Sequence, residues 1–360
     1  MSFLTIEQHQ AKIRGLTSGF DYLRVFLSVA VLCWHSYLIT HGLQQTFVFA
    51  ADKLHYASRL ILPMFFALSG FLVAGSLLRN SLQQFLWLRV VRLVPALAVE
   101  VVLSALILGP IVTIFTLDKY FHDPLFFTYF WNTIGHIQFF LPGVFLDHPF
   151  ARVVNTSLWT VPYELLCYIA LTLASLVTLF KRPRIFAVIF VIAVVVKTGL
   201  NLKYGSGVSY PPNLGGRQLV VCFLAGVLLY INRDIIPYSS GLALLAAITG
   251  YIFVRNYDLV FLSVLPLAYV TVWLGLLNPS KLPIVFTGDY SYGVYLYAAP
   301  IQQAVFHFTA VGKSYAGNVV LTLISVCFFG AFSWHAIERP ALKLKNLFQK
   351  KKQPAPAVAV

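Results

Sequence analysis

The chain has 360 residues, of which 59% are hydrophobic and 11% charged, whereas a soluble domain carries about 45–50% apolar and about 25% charged residues. That much apolar surface excludes a water-soluble fold. The net charge of +14 does not indicate nucleic acid, because the basic residues form short clusters between apolar runs, the pattern of membrane-protein loops.

A helix of about 17–25 apolar residues crosses the hydrocarbon core, and ten runs qualify: 21–43, 60–79, 93–116, 158–180, 184–202, 217–232, 237–254, 259–277, 290–310 and 318–338. The first contains Arg24 and His35 and no small-residue cleavage site, so it reads as a retained span and not a signal peptide. An eleventh stretch, 125–146, is flanked or broken by Pro124, Pro142 and Gly143 and carries Asn132, His136 and Gln138, which argues against a lipid-facing helix. Leaving it uncrossed puts most of the positive charge on one side. Lys12, Arg14 and Arg24, then Arg79/Arg89/Arg92, Lys181/Arg182/Arg184, Arg233, Lys281, and the tail with Arg339, Lys343, Lys345 and Lys350 to Lys352 all become cytoplasmic. The expected fold is an all-α polytopic membrane protein of about ten transmembrane helices with both termini cytoplasmic. A re-entrant or surface-lying segment is expected near 117–157. Residues 1–344 form the membrane domain, and 345–360 a basic, Pro/Ala-rich disordered cytoplasmic tail. Cys33, Cys167, Cys222 and Cys327 lie in four different apolar runs without CxxC spacing or a paired histidine cluster, so no disulfide framework or zinc site is indicated.

Ionisable groups inside spans cost about 2.5–3.5 kcal/mol each on insertion scales and mark function. Arg24 and His35 are eleven residues apart, within about 20° of three helical turns and about 16.5 Å along the axis, so both point the same way into the bundle. A buried histidine can serve as a neutral base, or it can be a packed core residue bonded to a neighbouring helix. Arg89 and Arg92, at i and i+3 in RVVR, suit a phosphate-bearing ligand from the cytoplasm, and equally suit positive-inside anchoring. Glu164, near the start of a span in SLWTVPYELLCY, can orient a histidine, hold an acceptor hydroxyl or pair with an arginine. Glu100, mid-span, is a weaker candidate. Tyr292, Tyr295 and Tyr297 in SYGVYLY read as interfacial aromatics that need no ligand. Ser69 in FFALSGFLV reads as a small-residue packing position and not a nucleophile.

Taken in order, FDYLR…H with Arg24 and His35, FFALSGFLV, RVVR, LPGVF, NTSLWTVPYELLCY, SYGVYLY and IERP resemble the acyltransferase family 3 group of bacterial membrane proteins, over roughly 15–345. The resemblance implies an O-acyltransferase of the bacterial cytoplasmic (inner) membrane. No cofactor would be bound. Acetyl-CoA or another acyl-CoA would be the co-substrate, and a carbohydrate or lipid-linked glycan would be the acceptor. Polysaccharide-synthesis proteins are candidate partners. His35 matches the family's essential histidine, Arg24, Arg89 and Arg92 its essential arginines, and Glu164 its glutamate. His35 and Glu164 are thus the expected catalytic residues, and Arg24, Arg89 and Arg92 the expected acyl-CoA contacts, with no metal. Where many members carry a histidine after the Tyr-Leu-aromatic run, this chain has Ala298. The competing reading is a transporter or flippase using His35, Arg24 and Glu164 as a substrate or proton pathway.

Overall fold

The computed structural model describes residues 4–15, 17–50, 53–205, 215–280, 282 and 288–344. Lys281 and the tail 345–360 lie outside them. The described residues are helical, with two isolated β-bridges and no strand. In chain order the helices are α1 (Ile6–Lys12), α2 (Ser18–Ala50), α3 (Lys53–Arg79), α4 (Leu82–Leu103), α5 (Leu117–His122), α6 (Pro124–Tyr129), α7 (Val161–Leu176), α8 (Pro183–Tyr204), α9 (Gly216–Ile231), α10 (Ser240–Arg255), α11 (Val264–Gly275), α12 (Ser291–Phe308) and α13 (Tyr315–Phe332). Two π-helical turns, Ser104–Leu108 and Ser333–Glu338, prolong α4 and α13.

Each of the ten expected runs falls on a helix. Among the described residues, six helical stretches are long and apolar enough to cross a membrane: Ser18–Thr46, Ser58–Arg79, Leu82–Val112, Thr156–Leu176, Pro183–Tyr204 and Tyr315–Lys343. Gly216–Ile231, Ser240–Arg255 and Val260–Gly275 are apolar but shorter. Within α2 the helix breaks at Gly42, whose φ of 76° is the left-handed region that glycine tolerates. Arg24 and His35 therefore lie on one uninterrupted helical stretch.

The stretch 125–146 is not a helix. After the short α5 and α6 the chain makes a 3₁₀ turn, Phe130–Ile134, and then runs irregularly, with one bridge between Phe140 and Val153. Asn132 does what a helix ladder would otherwise do there. Its amide donates to the carbonyls of Tyr129 (2.8 Å) and Gln138 (2.9 Å), and its carbonyl accepts from Gln138 N–H (2.8 Å). Such pairing is what a buried irregular segment requires.

The core is centred on α3 and α9. Small residues let these backbones touch, the means by which helices pack where lipid supplies no hydrophobic drive. A side chain at Gly70 would run into the Phe223 carbonyl, and one at Gly226 into that of Ala67. Ser69-Gly70 is thus a packing motif through its glycine. At one end of the bundle several segments meet. Glu7 pairs with Arg233 (3.1 Å), Gly19 N–H donates to the Leu277 carbonyl (3.0 Å), and Trp87 donates to the Leu344 carbonyl (2.9 Å). The described residues nearest both chain termini therefore lie at that same end, with the 232–238 and 277–280 connections.

The α3–α9 contact predicts that Gly70→Leu lowers thermal stability in detergent by the roughly 1–3 kcal/mol of an overpacked core. Gly199→Ala, whose added carbon meets nothing within 4 Å, should not lower the melting temperature, since alanine is the better helix former.

Candidate active site

The sequence places a proline in the first turn of α7 (Pro162), and Asn155 caps the turn before it by accepting from Ser157 N–H (3.0 Å). This sets Glu164 in the first helical turn, where the helix dipole favours a carboxylate. The Asn155 amide also donates to the Leu296 carbonyl (2.9 Å), fixing α7 against α12. Thr160 and Tyr295 share a hydrogen bond of 2.7 Å at the same junction.

Between α2, α3, α4, α7, α9 and α12 lies a cavity of about 280 Å³, into which Arg24, Arg89, Arg92 and Glu164 all project. Four of the five sequence-expected site residues thus converge from three helices. Tyr168, Tyr292 and Tyr295 line it as well, so two of the tyrosines expected at the membrane interface face inward instead. Tyr297, by contrast, is buried against α4. Ser69 also borders the cavity.

The three arginines are not equivalent. Arg24 and Arg92 share Asp289, whose Oδ2 lies 3.2 Å from Arg24 Nη1 and 2.7 Å from Arg92 Nη2. Arg92 also reaches Glu338 (3.2 Å), whose other oxygen accepts from Ser333 (2.9 Å). The π turn Ser333–Glu338 carries that glutamate, which is 1% exposed. Burial works to raise the Asp289 pKa. Arg92 and Arg24, with the Ser291 hydrogen bonds, outweigh it and bring the carboxyl down to about 2. Arg89 has no ion pair among the described residues. Its Nη2 donates weakly to Ser76 (3.4 Å), its guanidinium lies 5.8 Å from the Tyr168 ring centroid, and its Nε lacks a hydrogen-bond partner. Glu164 accepts a short hydrogen bond from Tyr168.

His35 is not in the cavity lining. It is buried on α2, three turns beyond Arg24, and its Nδ1 has no hydrogen-bond partner among the described residues. Glu164 is bonded to Tyr168 and stands with the arginines. Glu100 is buried too, accepting from Ser104 (2.8 Å). Sequence reasoning gave no role to Asp289 or Glu338. Glu338 lay within a quoted motif, IERP, but nothing in that tetrapeptide announces its partner 246 residues away.

The shared carboxylate has a measurable consequence. Asp289→Asn removes two ion pairs at once and Glu338→Gln one, so the first should lower the melting temperature more. Its cost should fall between the about 1 kcal/mol of an exposed pair and the roughly 3–5 kcal/mol of a buried one. In an Arg92→Met background, which leaves Glu338 buried without its arginine, Glu338→Gln should be neutral or stabilising, and a double-mutant cycle checks this.

Comparison with known proteins identifies the family. The family model described as an acyltransferase domain, of the acyltransferase 3 type, matches residues 17–337. The chain is similar to a protein named O-acetyl transferase from Shigella phage Sf6, at 26% identity over 89% of this chain and 94% of the relative. It is also similar to Nodulation protein 10 of Rhizobium leguminosarum bv. viciae, at 28% identity over 92% and 95% respectively. No solved structure matches. With a family match from just before the first apolar helix to the π turn that holds Glu338, the chain belongs to the acyltransferase 3 family and is a membrane acyltransferase.

Proposed function

We propose that this protein moves an acetyl group from cytoplasmic acetyl-CoA to a hydroxyl of a cell-surface or exported carbohydrate, in the bacterial cytoplasmic membrane. The convergence of three arginines on one cavity of a family acyltransferase carries the reading. The relative named O-acetyl transferase supports oxygen as the accepting atom. In this reading ten helices cross the membrane, both termini are cytoplasmic, and 117–157 is re-entrant or lies on the outer surface. The arginine rim then faces the cytoplasm, where the donor is.

CoA carries its phosphates at one end and its thioester at the other. Guanidinium groups match phosphate oxygens in pairs, with charge-assisted hydrogen bonds. Arg89, which has no ion pair among the described residues, supplies the first contact. Arg92 and Arg24 join it to the extent that phosphate displaces Asp289. The thioester end extends into the bundle toward His35, whose unpartnered Nδ1 is available to take a proton. The hydroxyl oxygen of the acceptor then attacks the thioester carbonyl as His35 removes its proton, and the CoA thiolate leaves. Glu164, held by Tyr168 beside the arginines, tempers the positive field at the rim and positions the donor.

The test is release of free CoA from acetyl-CoA by purified protein in nanodiscs supplied with mixed glycan acceptors. His35→Ala should lower turnover by about 10²–10⁴-fold, the range of a general base. Arg89→Ala should chiefly raise the KM for acetyl-CoA, with Arg89→Lys intermediate. Unchanged turnover in His35→Ala removes that residue from the chemistry. Absence of acetyl-CoA turnover by the wild type with every acceptor defeats the reading.

A further inference from the structure

At the end of α12 opposite the arginine cavity, the fold brings together two histidines 159 residues apart, a pairing that sequence spacing does not reveal. His148 is buried in the irregular segment after α6, and His307 is exposed near the end of α12. The His148 Nε2 and His307 Nδ1 atoms are 3.2 Å apart. With a carboxylate oxygen of the exposed Asp147, they lie within 4.8 Å of one another.

The proton positions can be deduced. The Gln303 amide nitrogen donates to the carbonyls of Phe150 (2.9 Å) and Val153 (2.8 Å), which fixes the orientation of its side chain. Its Oε1 is therefore an acceptor. The atom 2.7 Å away, His148 Nδ1, must be the donor. In the neutral ring Nε2 then carries no proton, and its lone pair points toward His307 and Asp147. A histidine held by a hydrogen bond from one ring nitrogen to a fixed carbonyl oxygen, with the other nitrogen presenting its lone pair, is the arrangement that surrounds metal-ligating histidines.

We propose that His148 Nε2, His307 Nδ1 and Asp147 form a binding site for a divalent transition metal of the zinc class, with water in the fourth position. Two nitrogens at about 2.0–2.1 Å from a tetrahedral zinc stand roughly 3.3 Å apart, close to the separation found here. His307 coordinates as the tautomer carrying its proton on Nε2. The Phe145 and Phe306 rings, with centroids 4.6 and 4.8 Å from that of His148, give the buried side of the site an apolar wall. Lys313 is the nearby cation whose field opposes the ion, and the Asp147 carboxylate counters it. The metal would staple the 139–157 segment to α12. That segment contains Asn155 and leads directly into the helix of Glu164, so the staple would set the register of the active-site helix from the far side.

The experiment uses full-length protein without a histidine tag, stripped with chelator, re-equilibrated with Zn²⁺ in nanodiscs and assayed for bound metal by mass spectrometry. The expected result is about one Zn²⁺ per chain, with a Zn²⁺-dependent rise in melting temperature. Both should be lost in His307→Ala, whose exposed position leaves folding intact, and affinity should fall at least tenfold in Asp147→Asn. Co²⁺ in place of Zn²⁺ should give the visible absorption of a four-coordinate site. No bound Zn²⁺ in the wild type, or undiminished binding in both His307→Ala and His148→Ala, overturns the proposal and leaves a simple hydrogen bond between the two rings.

Discussion

Asp289 stands between two arginines that come from different helices, and the arrangement of the cavity turns on that contact. Guanidinium groups brought to the wall of an apolar bundle lose hydration, a cost of several kcal/mol per charge unless partners replace the water. Asp289 offsets it for Arg24 of α2 and Arg92 of α4 together, and Glu338 adds a second carboxylate for Arg92. Because Asp289 also accepts from Ser291 (2.6 Å), the clamp is carried into the first turn of α12. Arg89 remains outside the arrangement. The cavity thus holds two arginines that share a carboxylate and one, Arg89, that has no ion pair among the described residues.

The helix that starts at this clamp ties the rest of the molecule together through side-chain amides. Gln302 donates to the Leu32 carbonyl and to Ser36 on α2, both at 2.6 Å. Gln303 holds the carbonyls of Phe150 and Val153. Asn318 of α13 donates to the carbonyl of Gln302 (3.1 Å). Amides in apolar helices are costly when unpaired and directional when paired, so each of these bonds fixes a rotation that apolar packing alone would leave loose. Helix α12 is therefore fixed at both ends, by charge at one and by amides at the other.

What could be read from the sequence follows from cost. Arg24, His35, Arg89, Arg92 and Glu164 stood out because ionisable residues inside apolar runs are expensive, and four of the five meet at one cavity. Asp289 and Glu338 sit at the ends of helices among other polar residues, where a carboxylate is cheap and unremarked. The inward aim of Glu338 further depends on a π turn that no spacing rule marks. The broken character of 125–146 was legible in Pro124, Pro142 and Gly143, but the role of Asn132 in bonding it was not. The apolar runs gave helix positions well and lengths less well. Runs at 237–254 and 259–277 correspond to shorter helices because Ser239 and Ser263 are the residues at which those helical stretches are capped or turned.

The position of His35 sets the remaining physical problem. Arg24, Ser28, Leu32 and His35 follow one stripe of α2, as their spacing of three or four residues requires. Between the two ends of that stripe the space is filled by protein. Ser28 and Leu32 are fully buried, Ser28 donates to the Ser291 carbonyl (3.1 Å), and the Leu32 carbonyl accepts from Gln302. A donor anchored at the arginine rim with its thioester at His35 must therefore part α2 from α12 along this seam, or pass around it through the wall lined by Tyr292 and Tyr295. Parting the seam would exchange the hydrogen bonds of Ser28 and Gln302 and the contacts of Leu32 for contacts with the ligand. In the proposed reaction, phosphate at the rim would compete for the Asp289 clamp at the head of that same seam. Anchoring the donor and opening the seam route would then be coupled, because Asp289, the carboxylate that phosphate would displace, is bonded into the first turn of α12.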